Sequence, residues 1–427
     1  MLNTTDNEKA TRILSDVYIV TCNEENEVFF GDLEIRDGRI AGFVKKEAPL
    51  SGVHSRVVTP AFHNLHMHLG ETIFRGRCDG MDLFGYLDVS HDSYENELWK
   101  KNESRIHRLS GLVSFMESVR NGCGIFACSR GTDEAEEMGI KAWCLFPIVN
   151  ITKLQNYYRD SEGLRNIDVG DPSRRVKSSL FVQSLYLADE EKLDAVAKAM
   201  RENSKLKLFI HVSETLKEIA YVSEKYNMTP IEVLYSKGLL GRRTFCVHCV
   251  HLTEHDISLL KETETNVILC PISNMKLQSG FPDIRKLRES GINLLASPDG
   301  FATNNSASLL EELKMIALND NKADVSDLLK LLTVNPARVL CEEKEIPYAG
   351  TLSPGAKADI AVFDTMSYLC RDTGRIVNNL IFDFTDFECV SLYIDGNPVY
   401  EDRVFTGVSE EDVINQFTKL QQEVFYE

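Results

Sequence analysis

Continuous apolar runs, separated by helix-like stretches, fill the middle of the chain. Runs that are apolar at consecutive positions, rather than at alternate ones, are typical of strands buried on both faces of a parallel sheet. The runs cover residues 57–62, 123–128, 141–149, 179–187, 206–212, 244–250, 266–271 and 292–297, and the helix-like stretches cover 104–121, 189–203, 216–226, 253–263, 282–290 and 308–319.

Eight such runs, each followed by a helical segment, match the element count of a (β/α)8 barrel. We therefore predict an α/β fold with a TIM barrel over residues 59–345. A doubly wound open sheet is the alternative. The first run is not followed by the Gly-x-Gly-x-x-Gly pattern that would favour it.

The two ends of the chain share a different pattern, of short strands joined by glycine turns. Asp37-Gly38, near the start, is the kind of pair that closes a hairpin. Short strand-like runs with glycine turns occur again at residues 350–364 and 390–400. We predict that residues 1–58 and 346–427 together form one small β domain, a β-sandwich built from both termini.

Composition narrows the class of protein. A chain of 427 residues, with 43% hydrophobic and 26% charged residues, suits a globular protein with a large core. The net charge of −18 argues against a nucleic acid or an anionic membrane as the main partner. The charge does not identify a small-molecule ligand.

The sequence has no sign of export or of a membrane span. It does not open with a basic segment followed by an apolar one, and no apolar run approaches the ~18 residues that a span requires. Eleven cysteines are scattered along the chain, which is typical of a reduced protein. We expect a cytoplasmic protein. The sequence is compatible with a homo-oligomer but singles out no interface.

Histidines and one aspartate stand where the predicted barrel strands end. The first run leads to His66 and His68, two residues apart and therefore on one side of a strand. Later runs end at His211, His248 and Asp299. Active sites of (β/α)8 barrels lie at the C-terminal ends of the strands, so we expect these side chains to meet. Histidine nitrogens with one carboxylate and an open position make a catalytic site for Zn²⁺ or Fe²⁺.

Glu214 follows His211 by three residues, within reach of a metal-bound water whose proton it could carry to a leaving group. The alternative is a solvated glutamate in the first turn of helix 216–226, where acids are favoured. The structural alternative for His211 is a core histidine, and for Asp299, in Ser-Pro-Asp-Gly, a turn residue.

An ordered set of motifs resembles a known family over nearly the whole chain. The resemblance is to the amidohydrolase superfamily, in the branch of methylthioadenosine/S-adenosylhomocysteine deaminases, guanine deaminases and triazine hydrolases. The ordered set is highly specific, whereas any one motif is not. The motifs are Pro60-Ala-Phe-His-Asn-Leu-His-Met-His68, Phe74-Arg75-Gly76, His211-Val-Ser-Glu214, His248-Cys-Val-His-Leu252, Cys270-Pro-Ile-Ser-Asn-Met-Lys-Leu-Gln-Ser-Gly280 and Ser297-Pro-Asp-Gly300.

The resemblance implies one divalent metal ion as cofactor, with zinc as the first expectation and iron as the alternative. The ligands implied are His66, His68, His211 and Asp299. A binuclear site would want a bridging lysine at the end of strand four. Residues 179–187 contain no lysine, so we expect one metal ion.

The resemblance also implies the reaction, that of a metal-dependent aminohydrolase. Metal-bound hydroxide attacks an amidine-like carbon of a nitrogen heterocycle, and ammonia leaves. In this reaction Glu214 shuttles the proton, His248 positions the hydroxide and substrate, and Asp299 accepts the proton of the water. The alternatives are the same site acting on another C–N bond or a C–Cl bond, as in triazines or cyclic amides, and a catalytically silent barrel. A silent barrel would normally have lost a ligand, and none is missing.

Substrate contacts are implied for Gln183, Arg75 and His251. Gln183 stands where adenosine-type deaminases of this branch carry a histidine, and it can both donate and accept hydrogen bonds. His251 has a structural alternative, packing behind His248 or capping the next helix. Residues 77–100, expected to form part of a substrate lid, lack the tryptophan-leucine pair usual in the branch.

Overall fold

The computed structural model describes residues 11–48, 55–148, 174–341, 343–365 and 372–426. Within these ranges the strands form two eight-stranded sheets. The chain divides into two compact units. The described residues within 1–63, 118–124 and 324–407 form one unit, and those within 64–117, 125–323 and 408–427 form the other.

Strands alternate with helices through the middle of the chain and cluster towards its two ends, as the hydrophobic pattern predicts. The strands are β1 (Thr11–Val20), β2 (Val28–Arg36), β3 (Arg39–Lys45), β4 (Ser55–Pro60), β5 (Phe62–Met67), β6 (Cys123–Ser129), β7 (Lys141–Ile148), β8 (Val176–Val182), β9 (Leu208–Val212), β10 (Thr244–His248), β11 (Asn266–Leu269), β12 (Leu294–Ala296), β13 (Ile360–Thr365), β14 (Phe387–Ile394), β15 (Asn397–Glu401) and β16 (Val404–Phe405).

Many of the helices begin at a residue whose side chain accepts a hydrogen bond from a backbone N–H group in the first turn. Asp189, Thr215, Thr229 and Thr253 each bind the N–H three residues further on. None of the described helices is long and apolar enough to cross a membrane. The helices are α1 (Leu83–Glu95), α2 (Glu97–Arg120), α3 (Thr132–Met138), α4 (Glu190–Glu202), α5 (Leu216–Tyr226), α6 (Pro230–Ser236), α7 (Glu254–Glu262), α8 (Pro271–Lys276), α9 (Ile284–Ser290), α10 (Phe301–Asn304), α11 (Leu309–Asn319), α12 (Val325–Lys330), α13 (Val334–Leu340), α14 (Ile376–Phe382) and α15 (Glu410–Phe425), with 3-10 turns at Leu69–Phe74, Glu343–Tyr348, Thr373–Arg375 and Phe384–Asp386.

A mixed sheet is built from both ends of the chain, in the order β16-β15-β14-β13-β4-β1-β2-β3. The early and late strands meet where β4 pairs antiparallel with β13. Side chains such as Val17, Leu33, Val58 and Val362 pack together in its hydrophobic core. The predicted β-sheet formed from both termini is therefore confirmed, while the bounds 1–58 and 346–427 stay a prediction.

The other sheet holds β5 to β12 side by side in sequence order. The pairs from β6 to β12 are parallel, and every residue of β10 and β11 is buried. Ser297, just after β12, donates through Oγ to the carbonyl oxygen of His66 in β5 at 2.6 Å, which brings the last strand to the first. This order confirms the barrel and rules out the doubly wound alternative, whose strand order reverses.

Several predicted element ends were wrong, each for a local reason. The first apolar run is two strands, because the chain passes from the mixed sheet (β4) to the barrel (β5) at Ala61. The fourth run stops at Val182, after which a turn joins the N–H of Leu187 to the carbonyl of Ser184. The seventh run ends before Pro271, which begins a helix because it has no N–H to give a sheet. Residue 149 lies outside the described residues.

Gly122 lies between α2 and β6, and replacing it tests how closely the first unit is packed. Its φ is +80°, and an added Cβ would overlap the ring of Phe363. We expect Gly122→Ala to lower the free energy of unfolding by about 2–4 kcal/mol, combining left-handed strain with overpacking. Gly238→Ala is the matched control, because its φ is +67° with nothing within 4 Å of an added Cβ. It should cost only about 1 kcal/mol. Equal losses in urea unfolding would contradict the packing argument.

Candidate active site

Four side chains meet at the C-terminal ends of the barrel strands. Nε2 of His66 lies 3.0 Å from Nε2 of His211 and 3.2 Å from Nε2 of His68. The corresponding distance from His68 to His211 is 3.3 Å. Oδ1 of Asp299 lies 3.0 Å from Nε2 of His66 and 3.4 Å from Nε2 of His68. Three imidazole nitrogens and one carboxylate oxygen therefore surround one small space.

Three residues at or just after the strand ends have a left-handed backbone conformation, which turns the chain sharply there. The φ angles are +54° at Ser213, +75° at His248 and +68° at Asp299. None of these is a glycine, and each such conformation costs about 1–2 kcal/mol. Non-glycine residues with positive φ are uncommon and cluster at functional sites.

The donor set fits a divalent cation. Asp299 is 3% exposed, and its Oδ1 has no hydrogen-bond partner among the described residues. Its Oδ2 accepts hydrogen bonds from Ser273 Oγ at 2.6 Å and Thr303 Oγ1 at 3.0 Å. Ligand atoms at about 2.1 Å from one ion and 3.0–3.4 Å apart subtend roughly 90–110° at that ion, as in four- or five-coordinate zinc. A cation would also compensate the buried oxygen.

The protonation states of the cluster also suit metal binding. Burial lowers the pKa of His66 to about 4, against the opposing effect of Asp299. Burial likewise lowers the pKa of His211 well below its usual value. Burial acts to raise the pKa of Asp299, but the adjacent histidines, His66 first, outweigh it and leave that pKa well below its usual value. These pKa directions favour neutral imidazoles at His66 and His211 and a charged carboxylate at Asp299, the forms that bind metal.

Glu214 lies close to this cluster with only one of its oxygens engaged by a hydroxyl. Oε1 accepts a hydrogen bond from Ser279 Oγ at 3.1 Å, and Oε2 lies 3.8 Å from Nε2 of His248. The side chain is 6% exposed. Burial raises the pKa of Glu214, although the charge of His248 lowers it. A raised pKa suits a group that both takes and gives a proton near neutral pH.

His248 is held in one orientation by Asn274. Its Nδ1 lies 2.8 Å from the amide oxygen of Asn274, so Nδ1–H donates and Nε2 faces Glu214. Its ring centroid lies 5.1 Å from that of His211. The hydrogen bond therefore fixes both the tautomer and the direction of the ring.

Two of the residues predicted to contact substrate, Gln183 and His251, have different neighbours in the structure. Gln183 is half-buried, two residues after Phe181, whose ring centroid lies 5.0 Å from that of His211. Nε2 of His251 donates to the carbonyl oxygen of Ser279 at 2.8 Å. The cap of the helix after His251 is Thr253.

Arg75 is engaged in a pairing that the sequence did not predict. Its guanidinium binds both carboxylate oxygens of Glu117, at 2.8 and 2.6 Å. It also lies over the ring of Phe301, 4.4 Å from the centroid. A bidentate pair combined with ring stacking is a typical structural use of arginine, so these contacts explain Arg75 without a substrate.

Sequence reasoning missed the residues that support the site. Ser273, Asn274 and Ser279 lie in a motif used for the resemblance, but no role was predicted for any of them. Glu71 was missed entirely. Its Oε1 lies 3.9 Å from Nδ1 of His68, and its Oε2 is buried without a hydrogen-bond partner among the described residues. The sequence did contain a signal for Glu71, because it is an acidic residue three positions after the predicted ligand His68.

A cluster that could hold a metal ion, at the C-terminal end of a parallel barrel and beside a buried glutamate, is typical of the class of metal-dependent barrel hydrolases. Residues 57–399 match the model of the Amidohydrolase family, and the chain belongs to this family. The resemblance seen in the sequence is thereby confirmed.

Relatives match the chain over almost its whole length. A 5-methylthioadenosine/S-adenosylhomocysteine deaminase of Acetivibrio thermocellus is 30% identical over 425 residues, covering 94% of this chain and 96% of the relative. An adenosine deaminase of Xanthomonas campestris with bound zinc has a TM-score of 0.79 at 20% identity, covering 96% and 98%. An atrazine chlorohydrolase of Arthrobacter aurescens in complex with zinc has a TM-score of 0.80 at 18% identity, covering 96% and 99%. The two structures share the fold of this chain.

The geometry of the cluster predicts that Asp299→Ala weakens metal binding while the protein stays folded. We expect metal affinity to fall more than the roughly 10–100-fold typical of changes behind the ligands. Asp133→Ala, an exposed position in α3, is the control and should bind metal normally. Metal content after dialysis, together with thermal unfolding, measures the effect. Unchanged metal content in Asp299→Ala would contradict the assignment of this aspartate as a ligand.

Proposed function

We propose that this protein is a deaminase, which hydrolyses an amidine-like C–NH2 group of a nitrogen heterocycle and releases ammonia. The observation that carries the proposal is the position of Glu214. It is a buried carboxylate with Oε2 directed at His248, next to a cluster that fits a metal ion. The relative from Acetivibrio thermocellus, a deaminase by name, supports the same reaction.

The metal ion would be a single Zn²⁺, held by His66, His68, His211 and Asp299. Zinc suits imidazole nitrogens with one carboxylate and an open coordination position, and two related structures were solved with zinc. When bound, such an ion acidifies water and so supplies a nucleophile at neutral pH.

The proton steps belong to side chains of this protein. Oε2 of Glu214 accepts one proton of the attacking water and delivers it to the exocyclic nitrogen, which leaves as ammonia. His248, with Nδ1–H bound to Asn274, holds Nε2 towards the attacking oxygen. The water oxygen ends on the ring carbon as a carbonyl, and the second proton of the water ends on the ring nitrogen next to that carbon. One water is consumed for each ammonia released.

The need for a proton donor favours C–N over C–Cl hydrolysis. Ammonia leaves only after its nitrogen is protonated, whereas chloride leaves without a proton. Glu214, a buried carboxylate beside the cluster, can take a proton from the attacking water and pass it to that nitrogen. The presence of every expected ligand argues against a catalytically silent barrel.

A flat heterocycle would find aromatic rings near Glu214. Burial, and then the charges of Glu214 and Glu218, raise the pKa of Tyr186. The ring of Tyr186 faces that of Phe84, in α1, with 6.1 Å between centroids. Aromatic faces stack favourably on planar rings. We infer that these rings, with Gln183, select a small heterocycle such as the base of an adenosine-type nucleoside.

Glu214→Gln tests the proton carrier. The variant should keep metal and substrate binding, because the side chain keeps its size, while kcat falls about 10²–10⁴-fold, the usual contribution of general acid–base catalysis. Glu224→Gln, at an exposed position in α5, is the control and should turn over normally. Steady-state kinetics on the best substrate measure the effect. A rate near that of the unchanged protein would assign proton transfer to another residue.

Ammonia release by the zinc-loaded protein tests the function itself. The panel includes adenosine-type nucleosides, guanine, pterins, cytosine analogues, cyclic guanidines and aminotriazines. We expect release from one of these classes, and loss of that release after metal removal by a chelator. Silence across the panel with zinc bound would overturn the deaminase proposal and favour another leaving group.

A further inference from the structure

We propose that Ser279 is a positioning residue for Glu214, and that His251 holds Ser279 in place. Three hydrogen bonds join the loops on which these residues lie, and together with the backbone they form a closed ring. The inference rests on the proposed role of Glu214 as proton carrier. It gives His251 a role other than the substrate contact predicted from the sequence.

The first bond of the ring selects which oxygen of Glu214 remains available. Ser279 is buried, and its hydroxyl donates to Oε1 of Glu214 at 3.1 Å. Oε2 is then the oxygen near Nε2 of His248, at 3.8 Å. Rotation about the last bond of a glutamate side chain is otherwise broad. The hydroxyl thus restrains the carboxylate in the orientation that proton transfer requires.

The second bond fixes the backbone of Ser279. Its carbonyl accepts Nε2–H of His251 at 2.8 Å, and its N–H donates to the carbonyl of Asn274 at 2.8 Å. The next residue, Gly280, has a φ of +117°, and an added Cβ would lie 3.0 Å from Val250 Cγ1 and 3.4 Å from His251 Cε1. Only a residue without a side chain lets the loop lie this close to the imidazole of His251.

The third bond closes the ring at the loop of Glu214 itself. The N–H of His251 donates to the carbonyl of Ser213 at 2.9 Å. The carboxylate of Glu218 holds the same loop from the other side, accepting N–H groups from Ser213 at 3.2 Å and Glu214 at 2.8 Å. Both the backbone and the carboxylate of Glu214 are therefore held by buried groups, so a shift of Ser279 would also shift the proton carrier.

Ser279→Ala and Ser279→Thr test the first bond. We expect kcat of the zinc-loaded Ser279→Ala protein to fall about 10- to 100-fold, the loss expected for one hydrogen bond to a charged group. KM, zinc content and thermal stability should change little. Ser279→Thr keeps the hydroxyl and should restore most of the rate. Ser290→Ala is the control, because Ser290 Oγ donates to the carbonyl of Leu287 in α9 at 2.6 Å.

His251→Phe tests the second bond, because phenylalanine places an aromatic ring at this position but has no N–H donor. We expect a smaller fall in kcat than for Ser279→Ala, with KM unchanged, since the serine hydroxyl remains but its loop is less restrained. Combined with Ser279→Ala, the second change should add little, because both act through Glu214. His255→Phe, at a mostly exposed position, is the control.

Two kinetic outcomes would overturn the inference. In one, Ser279→Ala keeps the kcat of the unchanged protein. In the other, KM rises with kcat unchanged, which would mean that Ser279 contacts the substrate rather than the proton carrier. A fall in kcat that Ser279→Thr fails to restore also counts against it.

A structural measurement separates this inference from the proposed function. If the unchanged protein deaminates nothing on the panel, the proposed function fails, and a crystal structure of zinc-loaded Ser279→Ala still decides the positioning role. A Glu214 carboxylate rotated away from His248 supports the role of Ser279. An unmoved carboxylate overturns it.

Discussion

The site depends on one electrostatic constraint, a charged carboxylate oxygen buried without a hydrogen-bond donor. Oδ1 of Asp299 has no hydrogen-bond partner among the described residues, while Ser273 and Thr303 satisfy only Oδ2. Leaving such a charge uncompensated inside a protein is costly. A divalent cation removes this cost and uses the lone pairs of the imidazoles at the same time. The folded barrel is therefore prepared for a metal ion by its own electrostatics.

That constraint explains why the backbone tolerates strain at the strand ends. The left-handed conformations of His248 and Asp299 persist because surrounding groups hold them. Asn274 orients the first ring, and Ser273 and Thr303 orient the carboxylate. Two of these supports come from the start of a single short helix, α8. A few residues after one strand thus position two parts of the site, the carboxylate of Asp299 and the imidazole beside Glu214.

The sequence predicted the parts of the fold and site that depend on local patterns. Continuous apolar runs identify buried parallel strands, and residues at their ends share one face of the barrel whatever the details of packing. Contacts between distant residues were not predictable in this way. The pairing of Arg75 with Glu117 joins residues 42 positions apart, and that of Ser279 with Glu214 joins residues 65 apart. Strand ends such as Val182 also depend on turns that hydrophobicity does not encode.

In the proposed function, the reaction and the choice of substrate depend on different parts of the chain, which explains why the reaction was easier to predict. The groups that fit a metal ion and move a proton lie on or just after barrel strands, where position follows from the fold. The aromatic pair Phe84 and Tyr186 lies in α1 and in the turn after β8. Loops and added helices vary without disturbing the barrel. Motifs at strand ends therefore indicate the reaction, whereas the aromatic rings proposed to recognise the heterocycle are brought together by packing that the sequence pattern does not show.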